Sequence, residues 1–288
     1  MEKPKIIECP RDAMQGIKYF IPTASKVQYI NQLLNIGFDT IDFGSFVSPE
    51  AIPQLKDTAT VLDQLDLSAT SSKLLAIVAN ERGAQDASNF DEIKYLGYPF
   101  SISETFQQRN TNTSIAGSME RLERISKIAH QSKKELVVYI SMGFGNPYDD
   151  PWNADVVIDW SNKLNKELGI NIIALSDTIG VAKPDIITGL FDDLIPALPT
   201  VEFAAHFHTT PDTYAEKIEA AYTAGCRRFD GALRGFGGCP MAKDELVGNM
   251  PTEKMIHWFK NQNIPIEINQ QELEKAVLES NSIFNKYF

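Results

Sequence analysis

Short apolar runs rich in β-branched residues alternate with amphipathic stretches along the whole chain. Eight of these runs have strand length, at 5–9, 39–43, 73–79, 93–97, 135–141, 170–175, 201–206 and 227–231. The stretches between them repeat their apolar positions at helical spacing. In 23–35, Val27, Ile30, Leu33 and Leu34 make one apolar stripe and Thr23 is placed to cap the helix. Further helices are predicted at 115–131, 153–167, 184–195 and 211–224, with a helical tail from about 252. The Asn, Thr, Ser and Gln-rich stretch 107–118 reads as a long loop on the functional face, or as a disordered one.

Eight strands, each followed by a helical or loop connection, are the pattern of an α/β chain folded as a (β/α)8 TIM barrel. An open doubly wound sheet also alternates, but no Gly-x-Gly-x-x-Gly follows the first strand. No linker, repeat or low-complexity segment divides the chain. The expectation is a single domain over 1–288, with the barrel over about 5–250 and C-terminal helices over about 252–288.

In such a barrel, function gathers where the strands end. That rule puts Arg11, Asp12, Asp42, Asn80, Ser141, Asp177, His206 and His208 on one mouth. His206 and His208 stand at i and i+2 and point to the same face. With Asp12 they offer one oxygen and two nitrogens, which suits divalent Mn, Fe, Co or Zn, and Mg where waters complete the shell. The structural alternative is a histidine pair hydrogen-bonded inside the mouth. Arg11 is a permanent cation able to stabilise an enolate or a carboxylate, or else to form a salt bridge with Asp42 or Asp177. The run Gly235–Pro240 allows close backbone approach and a mobile lid, and Cys239 within it is either an acid–base thiol or an inert one. Cys9 and Cys226, beside core elements, look structural. Asn249 can ligate a hard cation or serve as a turn residue.

Composition narrows the partners. The chain has 288 residues, 43% of them hydrophobic and 23% charged, as in an ordinary globular protein. A formal net charge of −11 argues against nucleic acid. No apolar run approaches membrane-spanning length, and the N-terminus lacks a signal core. Three cysteines without paired spacing suggest a reducing cytoplasm.

Taken together, the motifs resemble those of the hydroxymethylglutaryl-CoA lyase family of metal-dependent TIM-barrel lyases. PRDAMQ at 10–15 is similar to the family's P-R-D-G-L-Q, and SFVSP at 45–49 matches its S-F-V-S-P. SETF at 103–106 with Asn110 and Asn112, SDTIGV at 176–181, HFH at 206–208, GGCP at 237–240 and GN at 248–249 follow in the family's order. The resemblance implies retro-Claisen cleavage of 3-hydroxy-3-methylglutaryl-CoA to acetyl-CoA and acetoacetate, as in leucine degradation. It implies a divalent cation, Mg or Mn, on Asp12, His206, His208 and Asn249. Arg11 would then stabilise the enolate, Cys239 would transfer a proton, and Asp177 and Asp42 would assist as catalytic carboxylates. Gln15, Ser141 and Asn80 are the substrate-binding candidates, and a homo-oligomer, a dimer, is expected.

Several positions depart from the family pattern. TTPD at 209–212 stands where the family shows D-T-Y-G, and the segment 240–249 is longer, bulkier and more charged than the family's glycine-rich loop. Asp42 replaces a Glu, and Ala13 a Gly. These changes cluster around the lid and the cation's surroundings, so a related aldolase, lyase or Claisen-type synthase acting on another hydroxy acid is the alternative. A barrel that keeps the cation site and serves only in binding or assembly is a third reading.

Overall fold

The computed structural model describes residues 3–238 and 247–287. All eight expected strands form: β1 (Lys5–Glu8), β2 (Thr40–Ser45), β3 (Lys73–Ile77), β4 (Ile93–Ser101), β5 (Glu135–Ser141), β6 (Ile172–Asp177), β7 (Glu202–Thr209) and β8 (Arg228–Gly231). Each pairs in parallel with the next. β8 returns to β1 through Lys5↔Arg228 to Glu8↔Gly231, so the sheet closes into a barrel. Closure explains why the strand runs are almost continuously apolar. One face packs inside the barrel, where Leu75, Ile77, Tyr95, Val137, Tyr139, Ile172, Ala174 and Ala204 meet. The other packs against the surrounding helices.

The expected helices appear as α2 (Thr23–Leu34), α6 (Ile115–Gln131), α7 (Ala154–Leu168), α8 (Pro184–Ala197) and α9 (Tyr214–Thr223), and the tail as α10 (Thr252–Asn261) and α11 (Gln270–Tyr287). Thr23 is not the cap of α2. It is the first helical residue after Pro22, and its hydroxyl donates to Asp57 instead. Four helices are too short, with too few large apolar residues, to be read from sequence: α1 (Pro10–Gln15), α3 (Thr58–Leu62), α4 (Glu81–Ser88) and α5 (Glu104–Thr111). The polar stretch 107–118 is therefore no long loop. α5 ends at a left-handed Asn112, and Ser114 caps α6 by accepting from the Gly117 amide. Side-chain caps at Ser103 and Ser114 supply the order that hydrophobicity does not.

Two features position the mouth. A two-residue strand, β9 (Gly248–Asn249), pairs antiparallel with the end of β7, setting Asn249 opposite His208. The tail folds back on the chain's own barrel, where Phe284 meets Tyr29 edge-on at 5.9 Å and stacks on Phe236 at 4.5 Å. Phe236 belongs to the loop after β8, so α11 supports the base of that loop.

Glu8 ties the barrel seam. Its carboxylate, fully buried, accepts from the Leu233 amide at 2.8 Å and the Thr252 hydroxyl at 2.6 Å. Burial, against those two hydrogen bonds, pushes its carboxyl up to about 8. The folded state thus binds a proton more tightly than the unfolded one. This contribution to stability is fully present below 4.5 and is lost as pH rises through about 8. Glu8→Gln removes the titration. In urea unfolding at a series of pH values, the wild type should lose up to about 5 kcal/mol across this window relative to the variant. Parallel pH profiles for the two proteins would show that Glu8 does not titrate there.

Candidate metal centre and active site

Pro10 opens α1 at the first helical position, directly after β1. The single short helix that follows presents Arg11, Asp12 and Gln15 together at the mouth. Arg11 clamps Asp42 of β2, with Nε at 2.9 Å and Nη2 at 2.6 Å from Oδ2. Its Nη1 donates to Asp12 Oδ1 at 3.1 Å and to Gln15 Oε1 at 2.8 Å. These contacts use four of the five guanidinium hydrogens, and one on Nη2 has no partner among the described residues.

Asp12 is the meeting point. Oδ1 also accepts from Gln15 Nε2 at 2.6 Å, and Oδ2 accepts from Asn249 Nδ2 at 2.7 Å. Burial alone would raise its carboxyl, but Arg11 and the two imidazoles hold it below the usual value. Asp42 is buried completely, and burial pushes it up to about 6 against the pull of Arg11.

Both histidines are pinned through Nδ1. His206 faces Asp230 Oδ2 of β8 at 3.1 Å, and His208 faces the Thr178 carbonyl at 2.8 Å. Burial depresses His206, but the Asp230 contact outweighs it and the ring is raised overall. His208 is lowered, first by burial and then by His206. The rings lie 5.6 Å apart, and Tyr139 stands edge-on to His206 at 5.6 Å. With Nδ1 engaged, Nε2 of each ring is the atom free for a cation. Asp12, His206 and His208 bring ligand atoms within 4.8 Å of one another. One carboxylate and two oriented imidazoles fit a divalent cation. Asn249 adjoins this group, but its Nδ2 donates to Asp12 and to the Phe236 carbonyl at 2.9 Å. Ligation therefore requires the amide to turn its oxygen inward. The backbone crosses tightly here. Gly237 has φ +85°, and a Cβ on it would lie 2.8 Å from Asp12 O, Ala13 Cα and Asn249 Nδ2.

Three comparisons place this geometry among known proteins. The HMGL-like family model matches residues 3–278. The chain is 32% identical to the hydroxymethylglutaryl-CoA lyase of Bacillus subtilis, over 93% of this chain and 88% of that protein. The crystal structure of the Bacillus subtilis HMG-CoA lyase superposes with a TM-score of 0.92 at 31% identity, covering 99% of this chain and 95% of that one. The chain belongs to the HMGL-like family. Another structure, an HMG-CoA lyase from Acinetobacter baumannii in complex with coenzyme A and 3-methylmalate, matches with a TM-score of 0.89 at 29% identity, over 98% of this chain and 92% of that one.

Within this HMGL-like barrel the sequence candidates are unevenly gathered. Arg11, Asp12, Gln15, Asp42, His206, His208 and Asn249 form one connected group. The salt bridge foreseen for Arg11 is the one to Asp42. Ser141 is half-buried at the end of β5, and its carbonyl accepts from Ile102 and Ser101. Asn80 caps α4, accepting from the Gly83 amide at 2.9 Å. Asp177 turns away from the mouth. It pairs in register with Phe207, whose side chain lies in the outer core, and its Oδ2 meets Lys217 of α9 at 2.6 Å. Both of its oxygens are engaged, the other by the Ala182 amide at 3.0 Å, so the proton-handling role expected of it gives way to a structural one. Cys9 and Cys226 are buried thiols; burial pushes Cys226 up to about 12 and Cys9 well above its usual value. Cys239 lies outside the described residues.

Sequence reasoning missed Asp230 and Lys217. Asp230 carries a legible signal, a carboxylate at the mouth end of a strand. Lys217 has none, because its partner is 40 residues away. Asp230 orients His206, a candidate cation ligand, so Asp230→Ala should weaken Mn²⁺ binding by about 10–100-fold in calorimetric titration. Unaltered affinity would remove it from the site.

Proposed function

We propose that the protein cleaves 3-hydroxy-3-methylglutaryl-CoA to acetyl-CoA and acetoacetate, using Mg or Mn on Asp12, His206, His208 and Asn249. The observation that carries this reading is the oriented Asp12–His206–His208 set abutting a buried arginine with one hydrogen left without a partner among the described residues. The Acinetobacter relative bound to coenzyme A and 3-methylmalate supports an acyl-CoA ligand with a hydroxy-acid portion.

A divalent cation held by Asp12, His206 and His208 would supply Lewis acidity toward the substrate's oxygens. The residues do the rest. The hydroxyl gives up its proton, the C–C bond breaks and its electron pair becomes the acetyl-CoA enolate, and one proton taken up on that carbon balances the one lost. Arg11 would offer the enolate oxygen the Nη2 hydrogen that has no partner among the described residues. Asp42 acts through Arg11, fixing the guanidinium plane by the two-point clamp. Gln15 bridges Arg11 and Asp12, accepting from Arg11 and donating to Asp12. The resemblance assigns the proton delivered to carbon to Cys239. A cytoplasmic location belongs to the same reading, supported by the free thiols of Cys9 and Cys226.

Acetoacetate release from hydroxymethylglutaryl-CoA, measured with Mn²⁺ and with EDTA, tests the assignment. Release should require the metal and vanish in His206→Ala. Metal binding without release would favour another hydroxyacyl substrate and direct attention to Thr209 and the 240–249 segment.

Arg11→Lys keeps the charge but loses the bidentate fork, and should lower kcat by roughly 10²-fold or more with the fold retained by circular dichroism. Cys239→Ala should cut turnover by orders of magnitude while leaving bound metal unchanged. Turnover at the wild-type rate would remove the thiol from the mechanism.

A further inference from the structure

Lys217 is a buried lysine on α9, outside the barrel wall, and no step of the reaction uses it. Its ammonium has three hydrogens and three partners. They are Asp177 Oδ2 at 2.6 Å, the His208 carbonyl at 2.9 Å and the Gly180 carbonyl at 3.2 Å. These partners come from the end of β6, the loop after it, and the metal-ligand strand β7. We propose that Lys217 is a positioning residue for the cation site: it fixes the end of β7 and the 177–182 loop so that His208 is presented in one orientation. The inference rests on the cation reading of Asp12, His206 and His208.

The geometry runs in a closed circuit. His208 Nδ1 is held by the Thr178 carbonyl, and Thr178 stands on the loop that begins at Asp177. That loop is closed by Asp177, which takes the Ala182 amide on Oδ1 and Lys217 on Oδ2. Lys217 then returns to the backbone carbonyl of His208 itself. The partner that sets the His208 tautomer and the strand that carries its ring are therefore tied by one ammonium. The Thr178 hydroxyl extends the circuit by accepting from the Met142 amide at 2.8 Å, just beyond β5. A single point charge with three radiating donors suits this task, because its partners lie in different directions.

The test must separate positioning from stability, since removing Lys217 alone orphans the buried Asp177. The double variant Asp177→Leu/Lys217→Met exchanges the ion pair for apolar side chains of similar reach. Its melting temperature in EDTA and its Mn²⁺ affinity by calorimetry are compared with wild type. Lys26→Met is the control. It breaks another buried pair, to Asp57 at 2.7 Å, far from the histidines in the chain.

The expected result is Mn²⁺ affinity at least about 10-fold weaker in the double variant. Lys26→Met should bind Mn²⁺ as wild type does, whatever its melting temperature. If the double variant yields no folded protein, Lys217→Arg carries the test with the same threshold, because its planar fork cannot reproduce the three directions. Wild-type Mn²⁺ affinity in the folded variant, or an equal loss in Lys26→Met, overturns the assignment of Lys217. Failure of the wild-type protein itself to bind Mn²⁺ overturns the cation reading instead.

Discussion

The arrangement at the mouth depends on the charge balance around Arg11. Burying a guanidinium is costly unless carboxylates neutralise it and take its hydrogens. Asp42 does so by a two-point clamp and Asp12 by a single contact. The pairing is asymmetric, and the asymmetry is useful. Asp42 is consumed by the arginine. Asp12 keeps an oxygen turned toward Asn249 and the histidines, where it is held below the usual carboxylate value. The same guanidinium thus sets one carboxylate as a clamp and keeps the other charged beside the histidines.

Two imidazoles next to each other would repel if both were protonated, and the structure gives them different partners. His206 meets a carboxylate, Asp230, and is raised; His208 meets a backbone carbonyl and is lowered. Both contacts use Nδ1, so both rings present the same atom to the site. Beneath them, Arg228 fills the barrel interior, within 3.6 Å of Glu202 and 3.7 Å of Asp39. The interior below the histidines is therefore charged as well as packed, which sets β7 and β8 apart from the apolar wall of β3 to β6.

How much of this could be read from the chain follows from the range of each interaction. The strands were legible because closure buries both faces and makes each run apolar. α2, α6 and α7 were legible because they carry full apolar stripes. α4 and α5 were not, since short polar helices held by caps at Asn80 and Ser103 carry few large apolar residues. Asp12, His206 and His208 were legible because strand-end placement and i, i+2 spacing are local properties. Asp177 shows the limit of that rule. A residue at a strand end can face either way, and its register with Phe207 turns it outward. The resemblance to the lyase family supplied what spacing could not, including Asn249, whose place depends on the pairing of β9 with β7.

The outer elements carry more of the site than a barrel mouth alone suggests. The ring tautomer of His208 is set by a loop, and that loop is fastened by a lysine from α9. The loop after β8 comes within 2.9 Å of Asn249 through the Phe236 carbonyl, and Phe236 rests on Phe284 of α11. Asn249 in turn is fixed by pairing with β7 and by Asp12. His208 is therefore held by its own strand and by elements outside the barrel, whereas His206 is fastened within the barrel by Asp230 of β8. Rigid strands alone would place the Cα atoms, while ring orientation and amide direction need these second attachments. The helical shell and the C-terminal tail hold the candidate cation site in place from outside.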